Sequence, residues 1–235
     1  MTVEPADELH ELLYALTHDL AAPLRVIDGF SEAMLDEALP PDALEYLTTI
    51  RGSVAHMQRM FDGILQLHRI SQAPLRRVEV DVTALAESIA SELCAAETAR
   101  DVRFEIEPNL VANADAALFR IALDHLLRNA WKFTSKRQDA VIAVGSSEEQ
   151  PLRGTPRNPE ELRGTTLHVR DNGAGFDPAT AGRMFTPFQR FHSASDYDGL
   201  GIGLAVVRRV VYRHGGQVRA TGALQQGTTI SVELP

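Results

Sequence analysis

LHELLYALTHDLAAPLRVI, residues 9–27, sets Leu9, Leu13, Leu16, Leu20, Leu24 and Ile27 in steps of four and three, the spacing that lines one stripe of a helix packed on other helices. A long first helix is expected. Pro40 and Pro41 then punctuate the chain, and Asp42 is placed to start a second helix with Leu47, Ile50, Val54, Met57, Phe61 and Ile64 on one stripe. A two-helix hairpin buries too little surface to be stable alone, so the expected completion is a four-helix bundle made by two copies of the chain.

Working outward, APLRR (residues 73–77) reads as a linker, after which the pattern changes to strand-like alternation in VEVDV (78–82) and VRFEIE (102–107). Later strands are expected at AVIAVGS (140–146), TTLHVRD (165–171), GQVRATG (216–222) and TTISVEL (228–234), with Gly215–Gly216 and Gln226–Gly227 in turns. Residues 146–164, SSEEQPLRGTPRNPEELRG, read as a polar surface loop. The fold class expected is α+β, a helical hairpin over 1–72 and an α/β sandwich over 78–235.

The 235 residues carry a net charge of −9 and are 44% hydrophobic. That balance suits a globular protein and argues against wholesale binding to nucleic acid or an anionic membrane. Cys94 is the single cysteine, which excludes an intrachain disulfide and a thiolate metal cage and fits a reducing compartment. The acidic start, MTVEPADELHE, is no secretory signal. The most apolar late stretch, residues 200–211, is interrupted by Arg208 and Arg209 and is far short of the roughly 20 residues of a membrane span. A cytoplasmic location without membrane insertion is the expectation.

Four segments could carry chemistry, and each has a bland reading. His18 lies off the leucine stripe and is followed by Asp19; a solvent-facing histidine is ordinarily only a surface residue. In LDHLLRNAWKFT (123–134), Leu123, Leu126, Leu127 and Ala130 make the apolar face of an amphipathic helix. VRDNGAGFD (169–177) contains a DNG turn. GLGIGLAVV (199–207) is neither a Walker loop nor a dinucleotide fingerprint, yet glycines feeding a helix N-terminus offer backbone N–H groups and a favourable dipole to an anion.

Taken in their order, ALTHDLAAPLR (15–25), LDHLLRNAWKFT, VRDNGAGFD and GLGIGLAVV resemble the transmitter module of sensor histidine kinases over nearly the whole chain. HDLAAPLR (18–25) and FQRFHSASDYDGLGIGLA (188–205) are most similar to its phytochrome-like branch. The resemblance implies a dimeric phosphoacceptor bundle followed by a Bergerat-type (GHKL) ATP-binding domain. It implies that His18 is the phosphoacceptor, with Asp19 fixing its tautomer and Pro23 bending the helix. Asn129 would ligate Mg²⁺ through its amide oxygen, Lys132 would contact phosphate and Phe133 would close the nucleotide pocket. Asp171 would accept from the adenine amino group while Gly173 and Gly175 let the backbone approach the base. Phe185, Phe188 and Phe191 would anchor a lid, Arg190 would neutralise phosphate charge, and Gly199, Gly201 and Gly203 would form the ATP lid loop.

Two positions depart from the family pattern. His125 stands where an asparagine is usual, which touches the grip on phosphate, and Ala22 stands one turn after His18, where threonine or asparagine orients a water for dephosphorylation. The implied partners are a second copy of the chain and the receiver domain of a response regulator. With nothing sensory ahead of Leu9, a sensor domain outside the module or a sensory partner in trans is expected. The competing readings are a related ATPase of the gyrase, chaperone, mismatch-repair or anti-sigma type, which needs no phosphoacceptor helix, and a scaffold with a weakened ATP site.

Overall fold

The computed structural model describes residues 5–35, 37, 39–147, 165–193 and 196–235, with the side chains of residues 5–18, 147 and 165 left outside the description. The chain divides into two compact units, Met1–Arg69 and Ile70–Pro235.

In the first unit, α1 (Pro5–Leu35) runs unbroken through Pro23, although proline removes one helical hydrogen bond. In α2 (Pro41–Gln72), Pro41 takes the first helical position, where its missing N–H costs nothing. The carbonyl of Pro40 accepts from Ala43 and Leu44 at 3.0 and 3.2 Å. Leu24, Leu47 and Val54 are buried, and Arg51 Nε meets Asp28 at 3.4 Å. Leu20, Ile27, Phe30 and Met34 on α1, with Tyr46, Ile50 and Met57 on α2, remain exposed.

The second unit is a two-layer α/β sandwich. A five-stranded sheet is ordered β2 (Val102–Ile106), β4 (Ala140–Ser147), β5 (Thr165–Asp171), β7 (Thr228–Leu234), β6 (Gln217–Gly222). β2 and β4 are parallel; the other neighbours are antiparallel. Helices α3 (Val82–Ala96), α4 (Ala116–Phe133) and α5 (Gly203–Arg213) pack against the sheet. Between the layers lie Ile89, Leu127, Ile142, Val206, Val210 and Leu234, all but inaccessible to solvent. The polar loop expected over 146–164 falls, apart from its first residues at the end of β4, outside the described residues.

Two strand expectations need correction. β1 is Arg77–Asp81, so Val82 begins α3 rather than ending a strand. The cause is Asp81, whose carboxylate caps α3 by accepting from Ala84 N–H at 2.8 Å. β1 pairs with β3 (Val111–Asp115), a strand the sequence reading did not pick out, in a small separate sheet. VANAD has two alanines and two polar residues in five, so it lacks the β-branched run that marks a strand. Asp115 ends β3 and caps α4 through Leu118 N–H at 3.1 Å.

Trp131, on α4, ties three elements together. Phe104 of β2 is stacked on it at 6.1 Å between ring centroids, and the Arg100 guanidinium lies 4.3 Å from its ring. Arg100 also donates to the Trp131 carbonyl, and the indole N–H donates to Glu97 at 2.9 Å. At the far end of α5, buried His214 accepts from Asp115 N–H at Nε2 (2.8 Å), so Nδ1 carries the proton and donates to the Val210 carbonyl at 2.8 Å. Arg213 donates to the carbonyls of Ile70 and Ala73, and Arg209 to Ser71 Oγ.

Candidate nucleotide site

α4 supplies the floor of the site. Its apolar face, Leu123, Leu126, Leu127 and Ala130, is buried as expected, while Asn129, Lys132 and Phe133 are half-buried. The loop after β5 closes onto the C-terminal end of this helix, where Ala174 N–H donates to the Phe133 carbonyl at 3.0 Å. Gly173 is required there, since a Cβ would lie 2.4 Å from that carbonyl oxygen. The turn thus sets Asp171 and Phe133 side by side.

Asp171 is 7% exposed and accepts from Gly173 N–H at 2.8 Å. Burial pushes its carboxyl up to about 6, against the pull of the Gly173 and Thr228 N–H groups. Holding a carboxylate at this depth costs free energy, which marks Asp171 as a candidate functional group.

Gly175 has φ +63°, and a Cβ on it would overlap the Ala223 carbonyl. Its own carbonyl faces His192 Nε2 at 3.0 Å. His192, Tyr197 and Phe133 form a three-ring cluster, with centroids 5.1 to 5.3 Å apart. The sequence reading missed His192 and Tyr197; the signal was their place between the phenylalanine-rich segment and the glycine loop. Lys136 pairs with Asp196 at 2.5 Å and lies over the Tyr197 ring.

Cationic groups gather along the glycine loop. Lys132 Nζ sits 4.4 Å from the Phe133 ring centroid and 3.1 Å from where a Cβ on Gly199 would be. Burial lowers its pKa, helped by Arg190 and opposed by Asp198. Arg190 donates to the Tyr197 carbonyl at 2.9 Å. Gly201, at φ +72°, accepts from Phe188 N–H at 3.0 Å and has no room for a side chain against Gln189. Of the three phenylalanines expected to anchor this region, Phe185 is buried while Phe188 and Phe191 are half-exposed.

The loop enters α5 at Gly203. A Cβ there would come within 3.2 Å of His125 Nδ1 and 3.7 Å of the Asn129 amide nitrogen. Burial lowers the pKa of His125, opposed by Asp124. No cluster of three or more His, Cys, Asp or Glu able to hold a cation occurs among the described residues. The amide oxygen of Asn129 is a donor of the kind Mg²⁺ takes, an ion that keeps few protein ligands beside phosphate and water oxygens. His18 and Asp19 lie on α1 in the first unit; the His18 side chain is outside the described residues, and Asp19 is exposed.

Residues 114–235 match the family described as histidine kinase-, DNA gyrase B- and HSP90-like ATPase, and residues 8–73 match the His Kinase A (phospho-acceptor) domain. Cyanobacterial phytochrome A of Nostoc sp. is 26% identical over 97% of this chain and 28% of its own length. Phosphate regulon sensor protein PhoR of Pseudomonas aeruginosa is 29% identical over 92% of this chain and 47% of its own. The chain therefore spans less than half the length of these relatives. Full-length ShkA, solved in complex with AMPPNP, shares the fold with a TM-score of 0.64 at 24% identity, covering 96% of this chain and 45% of ShkA. No helix among the described residues is long and apolar enough to cross a membrane. With a phospho-acceptor domain ahead of the ATPase domain in one chain, the protein belongs to the histidine kinase-, DNA gyrase B- and HSP90-like ATPase family as a sensor histidine kinase transmitter module.

Proposed function

We propose that this chain is the catalytic core of a two-component histidine kinase, which phosphorylates His18 from ATP and passes the phosphoryl group to an aspartate on a response regulator receiver domain. The observation that carries the reading is what gathers around the C-terminal half of α4, which bears Lys132: the Asp171–Gly173 turn, Arg190, and the glycine loop entering α5 at Gly203.

Asp171 accepts from the exocyclic amine of adenine, Gly173 and Gly175 allow the base to lie against backbone, and Phe133 closes over it. Lys132, Arg190 and the N–H groups of Gly199, Gly201 and Gly203 hold the phosphates. Asn129 would hold Mg²⁺ through its amide oxygen, and the ion would supply charge neutralisation on the phosphates. A ring nitrogen of neutral His18 attacks the γ-phosphorus in line; the P–N bond forms as the P–O bond to ADP breaks, and the electron pair leaves with ADP. Asp19 accepts from the other ring N–H, fixing the tautomer and stabilising the imidazolium that develops. The remaining work is positioning and charge neutralisation.

Residues 1–72 act as the dimerisation and phosphoacceptor domain, 73–77 as linker and 78–235 as catalytic domain. The exposed stripes of α1 and α2 support a homodimer. The module acts in the cytoplasm under a sensor domain or a sensory partner. The test is incorporation of label from γ-labelled ATP into an acid-labile, base-stable phosphoprotein. Asn129→Ala should abolish the Mg²⁺-dependent label and leave the dimer intact; normal labelling of that variant would place the metal elsewhere.

A further inference from the structure

We propose that Arg100 is a positioning residue for the nucleotide site: it holds the peptide group that carries Lys132, and through it the lysine that grips phosphate. The inference rests on Lys132 being a phosphate contact, as set out under the proposed function. The last carbonyls of a helix find no partner within it, and the four that end α4 are met in different ways. Ala130 accepts from Thr134 N–H at 3.1 Å, Lys132 from Ser135 N–H at 3.1 Å and Phe133 from Ala174 N–H at 3.0 Å. Each of those donors is backbone. The Trp131 carbonyl instead accepts from Arg100 Nη1 at 2.8 Å, and Arg100 Nη2 donates to Thr134 Oγ1 at 3.2 Å. The Thr134 hydroxyl lies 2.8 Å from the Ala130 carbonyl and 3.0 Å from that of Trp131. It has a single hydrogen, so a guanidinium on the Trp131 carbonyl frees it for Ala130.

The Trp131 carbonyl and the Lys132 N–H belong to one rigid peptide plane. The bond that fixes this carbonyl therefore also fixes the Cα from which the lysine side chain starts. Arg100 is itself held in place. Its side chain is 14% exposed, its guanidinium lies 4.3 Å from the Trp131 ring centroid, and Nη1 is 3.6 Å from the Glu97 oxygen that also accepts from the indole N–H. A planar guanidinium keeps its N–H groups in a fixed fork, so one side chain clamps the carbonyl, the ring and the hydroxyl of the same turn. A cation at a helix C-terminus also stabilises the helix. A cap that did only this would act alike whatever stood at position 132, whereas a positioning residue acts through Lys132.

The experiment is a double-mutant cycle on the whole chain, read by calorimetry with Mg²⁺ and a non-hydrolysable ATP analogue. Circular dichroism checks that each variant is folded at the temperature of the titration. Lys132→Met should weaken binding on the order of tenfold, the worth of one hydrogen bond to a charged group. Arg100→Met, which keeps an apolar stem over Trp131 and no N–H donor, should weaken it about threefold to tenfold, and Arg100→Lys, with one donor and the charge, by less. In Lys132→Met the further change Arg100→Met should cost less than about twofold, because the group it positioned is gone. A reduced folded population would instead lower affinity by the same factor in both backgrounds. An Arg100→Met loss as large in Lys132→Met as in the unaltered chain overturns the inference. So does unchanged affinity in Arg100→Met beside weakened binding in Lys132→Met, which leaves the Lys132 reading standing. Unchanged affinity in Lys132→Met overturns that underlying reading and this inference with it. Should Arg100→Met not fold, Arg100→Gln carries the same cycle.

Discussion

The two units treat their apolar residues in opposite ways. On α1 and α2, Phe30 is 72% exposed and Tyr46 67%, with Leu20, Ile27, Met34, Ile50 and Met57 also open to solvent. In the second unit the helix faces and the covered face of the sheet are closed over each other, and the large apolar residues left exposed, Val78, Val111, Tyr212 and Leu224, are scattered. An exposed apolar stripe along two long helices asks for a partner surface, whereas a closed two-layer core does not. The hairpin leaves an apolar stripe uncovered; the sandwich closes over its own. The proposed chemistry divides along the same line, with His18 on the first unit and the proposed nucleotide groups on the second.

The largest test of that division is His18→Ala. Phosphate incorporation should fall to background while ATP binding by calorimetry stays at the wild-type value, because no nucleotide-site residue is altered. Label at the wild-type level would remove His18 from the mechanism.

Next comes Ile27→Glu combined with Ile50→Glu. Placing carboxylates in an apolar seam costs several kcal/mol for each ion that becomes buried, so sedimentation should report monomers in place of dimers. ATP binding by the second unit should be untouched. A dimer that persists would mean that the seam runs along another face of the hairpin.

Asp171→Asn should weaken ATP binding by about 1.5–3 kcal/mol, the worth of a hydrogen bond to a charged group. In the unaltered chain the same carboxyl makes affinity pH-dependent. With its pKa near 6, adenine binding should hold above pH 7 and fall about tenfold per unit below pH 6 as the acceptor is protonated. Stability should run the other way. The folded-state pKa is raised above the ordinary 3.8, so the folded protein holds this proton more tightly. The resulting stabilisation is full below about pH 4 and is lost as pH rises through 6, by about 3 kcal/mol at the upper bound. Denaturation of Asp171→Asn at pH 5 and pH 8 should show that part of the slope gone.

The smallest effect is expected at Ala22. A methyl group neither donates nor accepts a hydrogen bond, so the chain should act mainly as a phosphodonor. Ala22→Thr should accelerate loss of phosphate from the regulator several-fold in the presence of ADP with His18 replaced. Rapid decay already stimulated by Ala22 protein would assign the water to another residue.

How far the sequence could be read follows from how local each signal is. The helical hairpin was visible because heptad spacing repeats over many residues, and α4 because Leu123, Leu126, Leu127 and Ala130 share one face. Asp171, Gly173 and the glycine loop could be picked out from a resemblance, but not why they belong together. That depends on the Phe133 carbonyl receiving Ala174 N–H and excluding a side chain at residue 173, a contact across 40 residues. β3 was lost because VANAD becomes a strand only through its pairing with β1. His192 and Tyr197 were passed over because their meaning lies in the ring of Phe133, far away in sequence.

The chain's single tryptophan gives the comparison between the units an optical form. Trp131 sits 8% exposed between Phe104 and Arg100, two residues from Asn129 and adjacent to Lys132. All indole emission therefore comes from the second unit, beside the nucleotide groups, and none from the hairpin. Far-ultraviolet dichroism is weighted the other way, toward the long helices α1 and α2. A melt followed by both signals would separate the loss of the helical hairpin from the loss of the sandwich without a label on either.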